Sequence, residues 1–126
     1  MTQEDKNLLL KVLCEQLPYG VMIEYPLDET NRGVERLTGI SEDGLITLDI
    51  PIEVPVFDIV KDEIKPYLRP MSSMTKEEKK EYKRFCVNAA ICSDYQQVDF
   101  LNKHHFDYRG LIEKGLALEA PEGMYC

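Results

Sequence analysis

The sequence predicts an α+β domain: an N-terminal helix, then a small antiparallel sheet, then two or three further helices. Apolar residues first repeat with helical spacing, then alternate with a period of two, and return to helical spacing after residue 75. Clustered strands followed by clustered helices are typical of α+β folds, whereas parallel α/β sheets alternate the two elements. With 126 residues the chain is expected to form a single domain, residues 1–126, with its own core.

The first helix is expected at residues 2–17. Its apolar residues recur three and four positions apart and share one face: Leu10, Leu13, Cys14 and Leu17, with Leu9 widening the stripe. Thr2 and Asp5 have the spacing of a capping pair, in which each side chain bonds the other residue's backbone. Pro18 disfavours helical geometry in the residue before it, so the helix is expected to end there.

The sheet is expected to be an antiparallel meander of three to five strands. Alternating apolar residues place these strands at residues 21–25, 34–40, 45–50 and 53–59. The Asp-Gly pair at residues 43–44 is typical of a hairpin turn. Proline cannot donate to a strand ladder, so a break is expected near Pro51. This order of elements resembles an SH3-like barrel or a curled sheet, by analogy of order alone.

The segment at residues 65–75, KPYLRPMSSMT, is predicted to be a loop stiffened by two prolines. Thr75 and Glu78 have the spacing of a capping box. A helix is therefore expected to begin there and to run to about residue 91.

The C-terminal stretch is expected to hold two helices. The first begins at residue 93 or 94 and frays near His105. Asp107 then caps a short helix at residues 108–114, and Gly115 follows it in a left-handed conformation.

Three residues just before the second large helix are candidates for binding an anion. Free N–H groups at a helix start favour negative charge, and Arg69, Ser72 and Ser73 lie close by. Glu78 can fill the same position, which would leave only a capped helix. For a nucleotide-type ligand, these three residues would hold phosphate, while Tyr67, Tyr108 and Arg109 would stack on a base. His104 is a further candidate for contact with a ligand or partner. Such a site requires the loop at residues 65–75, which we call the central loop, to lie next to the C-terminal stretch.

His104 and His105, with Asp107 nearby, suggest acid–base chemistry or metal binding. Adjacent helical residues point about 100° apart, so both rings cannot easily hold one ion. We therefore expect the histidines to serve the core and its boundary, and we expect neither a metal nor a cofactor. A small enzyme that uses His104 or His105 is the least favoured alternative.

The net charge of −8 is unevenly distributed. Residues 1–64 carry 14 acidic and 5 basic side chains, whereas residues 65–126 carry 9 acidic and 10 basic ones. An acidic half argues against direct nucleic-acid binding, which requires phosphate neutralisation, and against an anionic membrane surface. It permits a basic protein partner, for which Glu42, Asp43 and Asp49 are the candidate contacts.

The cysteines, Cys14, Cys86, Cys92 and Cys126, form no CxxC pair. They are expected to be reduced and mostly buried, with Cys126 as the exception. A polar N-terminus and the lack of a long apolar run predict a cytoplasmic protein without a membrane segment.

Two segments resemble a group of uncharacterised short proteins from gut Bacteroidales and from their phages and mobile elements. The segments are KPYLRPMSSMT and FLNKHHFDYRGLIEKGLALEAPEGMY, and the N-terminal LCEQLPYGV also fits. The resemblance implies a bacterial or phage origin and a cytoplasmic setting, and it implies no activity.

These observations favour a non-enzymatic protein-binding module, such as a phage or mobile-element accessory protein that engages a host factor through an acidic surface. The alternative from another class is a protein that binds or sequesters a small molecule of the nucleotide type. The sequence leaves the oligomeric state open.

Overall fold

A computed structural model describes residues 2–50, 56–87 and 94–125, and it confirms the α+β class. The helices are α1 (Gln3–Gln16), α2 (Lys76–Val87) and α3 (Asp94–Lys103), with 3₁₀ turns at Leu17–Tyr19 and Met71–Ser73. The strands are β1 (Met22–Pro26), β2 (Arg32–Ile40), β3 (Leu45–Leu48), β4 (Phe57–Asp58), β5 (Lys65–Leu68) and β6 (Leu118–Glu119). Within the described ranges, none of the helices combines the length and apolar character needed to cross a bilayer.

The six strands form one mixed sheet in the order β4-β3-β2-β1-β5-β6. Strands β1 to β4 make the predicted antiparallel meander, and β5 continues it antiparallel to β1. Strand β6 pairs parallel to β5. Because β4 and β6 lie at opposite ends of this order, the described strands form an open sheet rather than an SH3-like barrel.

The prediction that residues 65–75 form only a loop was wrong, since β5 occupies the start of that segment. Strand β6 lies at residues for which no strand was predicted. Both strands are short and become strands only through partners distant in sequence, and β5 contains a proline, so a local pattern does not reveal them. Three expected features fall outside the described residues. They are the break at Pro51, the end of the second large helix near residue 91, and the start of the next helix at residue 93.

Helix α1 begins as predicted, and the face that it buries overlaps the predicted stripe. Thr2 Oγ1 accepts from the Asp5 N–H at 3.1 Å, and Asp5 Oδ2 accepts from the Thr2 N–H at 3.2 Å. Its buried residues are Leu9, Val12, Leu13 and Gln16, whereas Cys14 is exposed. Burial of Leu9 and Leu13 was predicted, and Leu10 and Leu17 pack against the core while only partly buried. The placement of Cys14 was wrong, because the buried face includes Val12 and the polar Gln16 instead. Burial of the other three cysteines concerns side chains outside the described part of the structure.

At two other predicted helix starts the capping residues form hydrogen bonds with the backbone, but only one of the two segments becomes a helix. Thr75 and Glu78 form the predicted capping box, with contacts of 2.9 and 3.2 Å. Asp107 likewise accepts from two backbone N–H groups four and five residues ahead. Residues 108–114 nevertheless form turns, and the predicted helix there was wrong. Gly110, at φ +77°, interrupts right-handed winding.

The core has two parts. In the larger one, α1 packs on one face of the sheet, and its fully buried side chains include Leu9, Leu13, Ile23, Leu37, Ile46 and Leu68. The smaller one lies beneath α2 and α3 and contains Met74, Phe100, Leu101 and Phe106. Tyr82 and Tyr108 pack at its edge, which places two aromatic rings between this core and solvent.

Tyr125 joins β1 and β5 where their ladder stops. Ile23 pairs with Pro66, so Met22 and Tyr67 would form the next pair. Instead, the Tyr125 hydroxyl accepts from the Met22 N–H at 2.9 Å and donates to the Tyr67 carbonyl at 2.6 Å. The phenol thus completes the hydrogen bonds of two diverging strands, and burial raises the pKa of Tyr125.

Replacement Tyr125→Phe should lower the free energy of unfolding by about 1–3 kcal/mol, because two partly buried backbone groups lose their partner. Urea denaturation measures this change. Tyr19→Phe is the matched control, because Tyr19 is exposed and no hydrogen bond joins its hydroxyl to another described residue. Equal stability of the two variants would contradict the bridging role.

Candidate functional site

An open groove with a volume of about 680 Å³ lies between the central loop, α2, α3 and residues 107–113. Its lining residues include Pro70, Met71 and Ser72 from one chain segment, and Asp107, Tyr108, Ile112 and Glu113 from another. Tyr82 from α2 and Leu101 from α3 also line it. We call this depression the groove.

The groove exists because one parallel bridge holds its two walls together. The Arg69 N–H donates to the His105 carbonyl at 2.7 Å, and the Asp107 N–H donates to the Arg69 carbonyl at 2.8 Å. These bonds pair Arg69 with Phe106, far away in sequence. The central loop and the C-terminal stretch therefore meet, which was the condition for any site that they share.

The side chain of Arg69 is engaged by the cap of α2. Its guanidinium donates to both carboxylate oxygens of Glu78, at 2.8 and 2.7 Å, and lies 4.3 Å from the centre of the Phe106 ring. Hydrogen bonds from Arg69 are the main reason that the pKa of Glu78 falls to about 2. His104 Nδ1 lies 3.3 Å from the same carboxylate.

Anion binding by Arg69, Ser72 and Ser73 stays a prediction, and in this structure Glu78 occupies the place of the anion. Ser73 uses its hydroxyl to donate to the Pro70 carbonyl at 2.7 Å. Ser72 is exposed and lines the groove. Tyr67 lies elsewhere, on β5, where its hydroxyl donates to Glu24 Oε2 at 3.3 Å.

Arg109 and Tyr108 belong to a second cluster of hydrogen bonds, which we call the polar network. Its members are Glu15, Gln16, Asn102, His105, Tyr108 and Arg109. Arg109 donates twice to Glu15, both times at 2.9 Å. The Tyr108 hydroxyl lies 3.0 Å from Glu15 Oε2 and 3.0 Å from Asn102 Oδ1. The network therefore fixes the tyrosine that forms one wall of the groove.

The inner half of the polar network is buried. Gln16 Nε2 donates to Asn102 Oδ1 at 3.1 Å, and Gln16 Oε1 lies 2.8 Å from His105 Nδ1. An amide oxygen only accepts, so Nδ1 of His105 carries the proton. The His105 ring also stacks on Tyr125, with ring centres 3.7 Å apart. Burial, with smaller contributions from His104 and Arg69, lowers the pKa of His105 to about 4.

The two histidines thus have different partners. His104 approaches Glu78, whereas His105 bonds Gln16 and adopts a left-handed backbone at φ +62°. Both carboxylate oxygens of Asp107 accept backbone N–H groups. Among the described residues, no hydrogen bond joins either histidine to Asp107. The acid–base pairing considered from the sequence therefore has no counterpart in these contacts.

The three candidate acidic contacts lie at two places. Glu42 and Asp43 are exposed in the turn between β2 and β3. Asp49 follows β3 and lies 3.2 Å from Arg36 Nη2. Four residues of strand separate the two places, which corresponds to about 13 Å. A partner would therefore need a broad surface to contact all three.

Of the residues proposed from the sequence to bind a ligand, only Ser72 and Tyr108 line the groove. Sequence reasoning missed Met71, Tyr82, Ile112 and Glu113 as groove residues. An apolar residue near a loop or a helix edge reads as a core anchor, and only the bridge between Arg69 and Phe106 shows that these residues face a common space.

Lowering the pH from 6.5 to 4 should destabilise the fold by about 3 kcal/mol through His105. The unfolded chain binds a proton near pH 6.5 but buried His105 does not, so protonation favours the unfolded state. His105→Asn suits the left-handed backbone and should flatten this dependence, as measured by urea denaturation at several pH values. Glu78 affects the free energy of unfolding only below about pH 4.5, where an ordinary glutamate takes up its proton. The change in stability between about pH 6.5 and 4.5 therefore reports on His105. Equal slopes above pH 4.5 for both proteins would contradict the assignment.

Comparison with known proteins found no relative of this chain: no family model, no curated protein and no solved structure matches it. Function must therefore be inferred from the groove, its charges and the contacts that hold its walls.

Proposed function

We propose that this chain is a non-enzymatic protein-binding module whose groove receives a short segment of another protein. The observation that carries the proposal is the composition of the groove, whose walls combine apolar and aromatic side chains with two carboxylates. Its volume of about 680 Å³ lies within the range of about 300–1,000 Å³ that is usual for binding sites.

The apolar part of the groove supports binding of a protein segment. Met71 leaves 37% of its surface exposed, although it is a large hydrophobic residue. Tyr82, Tyr108 and Ile112 are half-buried along the same walls. Aromatic residues and methionine are enriched where proteins bind one another, because they bury a large area on contact.

The walls are also held in place before any partner arrives. Tyr108 is fixed by Glu15 and Asn102, and the central loop is fixed by the backbone bonds of Arg69. A preformed site loses less conformational entropy on binding, so more of the contact energy remains as affinity.

The charges favour a protein segment over a nucleotide. Among the described residues, the charged ones that line the groove are Asp107 and Glu113. Arg69, considered for phosphate, and Arg109, considered for stacking on a base, each hold a carboxylate with two hydrogen bonds. A phosphate would have to displace Glu78 from Arg69, whereas an apolar or basic segment would not.

The resemblance of the sequence to short proteins of bacteria and their phages suggests the setting for such a module. In that setting the partner would be a bacterial host protein. Glu42, Asp43 and Asp49 supply exposed negative charge outside the groove that would attract a basic partner surface, an attraction that salt screens beyond about 8–10 Å.

Selection of a displayed random-peptide library on the purified chain tests the proposal. We expect enriched peptides that bind the wild type and lose at least about tenfold in affinity with Met71→Arg, since the substitution removes apolar contact and places a long charged side chain at the groove wall. The matched control is Val60→Arg, because Val60 lies outside the groove and has a comparable exposure, 38% against 37%. Fluorescence anisotropy with a selected peptide measures the affinities.

Two results would count against this assignment. Failure to enrich any peptide over an unrelated protein would remove the proposed function. Equal loss of affinity in both arginine variants would remove the groove as its location.

A third variant, with lysine at residues 42, 43 and 49, tests the acidic surface. If it alone abolishes binding at unchanged melting temperature, the acidic surface and not the groove is the binding site.

A further inference from the structure

We infer that the groove selects a segment in which a lysine or arginine lies between apolar residues, and that Glu113 pairs with this cation. The inference rests on the proposed function and names the chemistry of the partner. Three features of the described residues carry it: the uncompensated charge of Glu113, the engagement of Asp107, and the apolar side chains that line the same groove.

Glu113 differs from the other carboxylates near the groove. Glu15 is bonded twice by Arg109, and Glu78 is bonded twice by Arg69. Glu113 is exposed at the rim, and no hydrogen bond or ion pair joins it to another described residue. Lys114 follows it in sequence but lines a separate cavity, together with Asp5 and Glu63.

Asp107 adds negative charge but is less able to bind a ligand directly. Its Oδ1 accepts from the Leu111 N–H at 2.8 Å, and its Oδ2 accepts from the Ile112 N–H at 3.0 Å. Both oxygens are therefore oriented towards the backbone. Within the described part of the chain, no lysine or arginine lines the groove, so a cation entering it would meet two carboxylates and no like charge on these walls.

The apolar residues determine what must flank the cation. Three of the residues that line the groove come from different segments: Met71 from the central loop, Tyr82 from α2, and Ile112, which directly precedes Glu113 in the chain. A segment that placed its basic residue at Glu113 would extend towards these three side chains. Charge complementarity at the rim, with apolar contact along the groove, thus points to an apolar–basic–apolar segment rather than to an acidic or uniformly basic one.

The test repeats the random-peptide selection on wild type, Glu113→Gln and Glu42→Gln. Glu42→Gln is the matched control, because it removes one exposed carboxylate at the turn between β2 and β3, outside the groove. We expect a recurrent lysine or arginine in peptides selected on the wild type and on Glu42→Gln, and no such preference on Glu113→Gln. A peptide from the wild-type selection should bind Glu113→Gln about 1.5-fold to fivefold more weakly, the range usual for an exposed ion pair.

Salt gives a second measurement. Raising the ionic strength should weaken peptide binding to the wild type more than to Glu113→Gln, because screening acts on the ion pair and not on the apolar contacts. A merely structural effect of the substitution would lower affinity without changing this salt dependence.

The outcomes separate the inference from the function on which it rests. Enriched peptides without a basic preference, or with one that Glu113→Gln retains, overturn the inference and leave the binding function in place. No enriched peptide overturns both. Self-association that Met71→Arg abolishes, measured by light scattering, would make a second copy of the chain the occupant and would also overturn the inference.

Discussion

The backbone bridge between Arg69 and Phe106 is the contact on which the rest of the C-terminal half depends. It consists of two hydrogen bonds, from the Arg69 N–H to His105 and from the Asp107 N–H to Arg69. It brings the end of β5 beside the turn that follows α3. The Arg69 side chain strengthens the same junction by lying over the Phe106 ring while it holds the cap of α2. The groove, the cap of α2 and the smaller core therefore all depend on this bridge.

The polar network gives this arrangement its specificity. Burying Gln16, Asn102 and His105 is unfavourable unless each polar atom finds a partner. Among the described residues, every buried side-chain nitrogen and oxygen atom has one. Partners of this kind come from α1, α3 and the turn after α3 at once, so a shifted helix would leave several groups unpaired. The network thus selects one packing of these elements, whereas apolar contacts alone would tolerate several.

Local chemistry was readable from the sequence, and long-range pairing was not. The capping pairs of Thr2 with Asp5 and of Thr75 with Glu78 depend on residues three apart, and both form as predicted. Gln16 was missed as a core residue because its burial depends on Asn102 and His105, distant in sequence. Strands β5 and β6 were missed for the same reason. Of the candidate site, Ser72 and Tyr108 were anticipated, but the groove that unites them requires the bridge at Arg69.

Tyr108 belongs to two structures at the same time, since one side of it lines the groove and its hydroxyl contacts Glu15 on α1. Under the proposed function, a bound segment would contact a ring whose position α1 helps to set. Tighter docking of α1 would then raise affinity at the groove by the same factor by which binding tightens that docking. None of the described residues that line the groove belongs to α1, yet α1 reaches it through the contact between Glu15 and Tyr108.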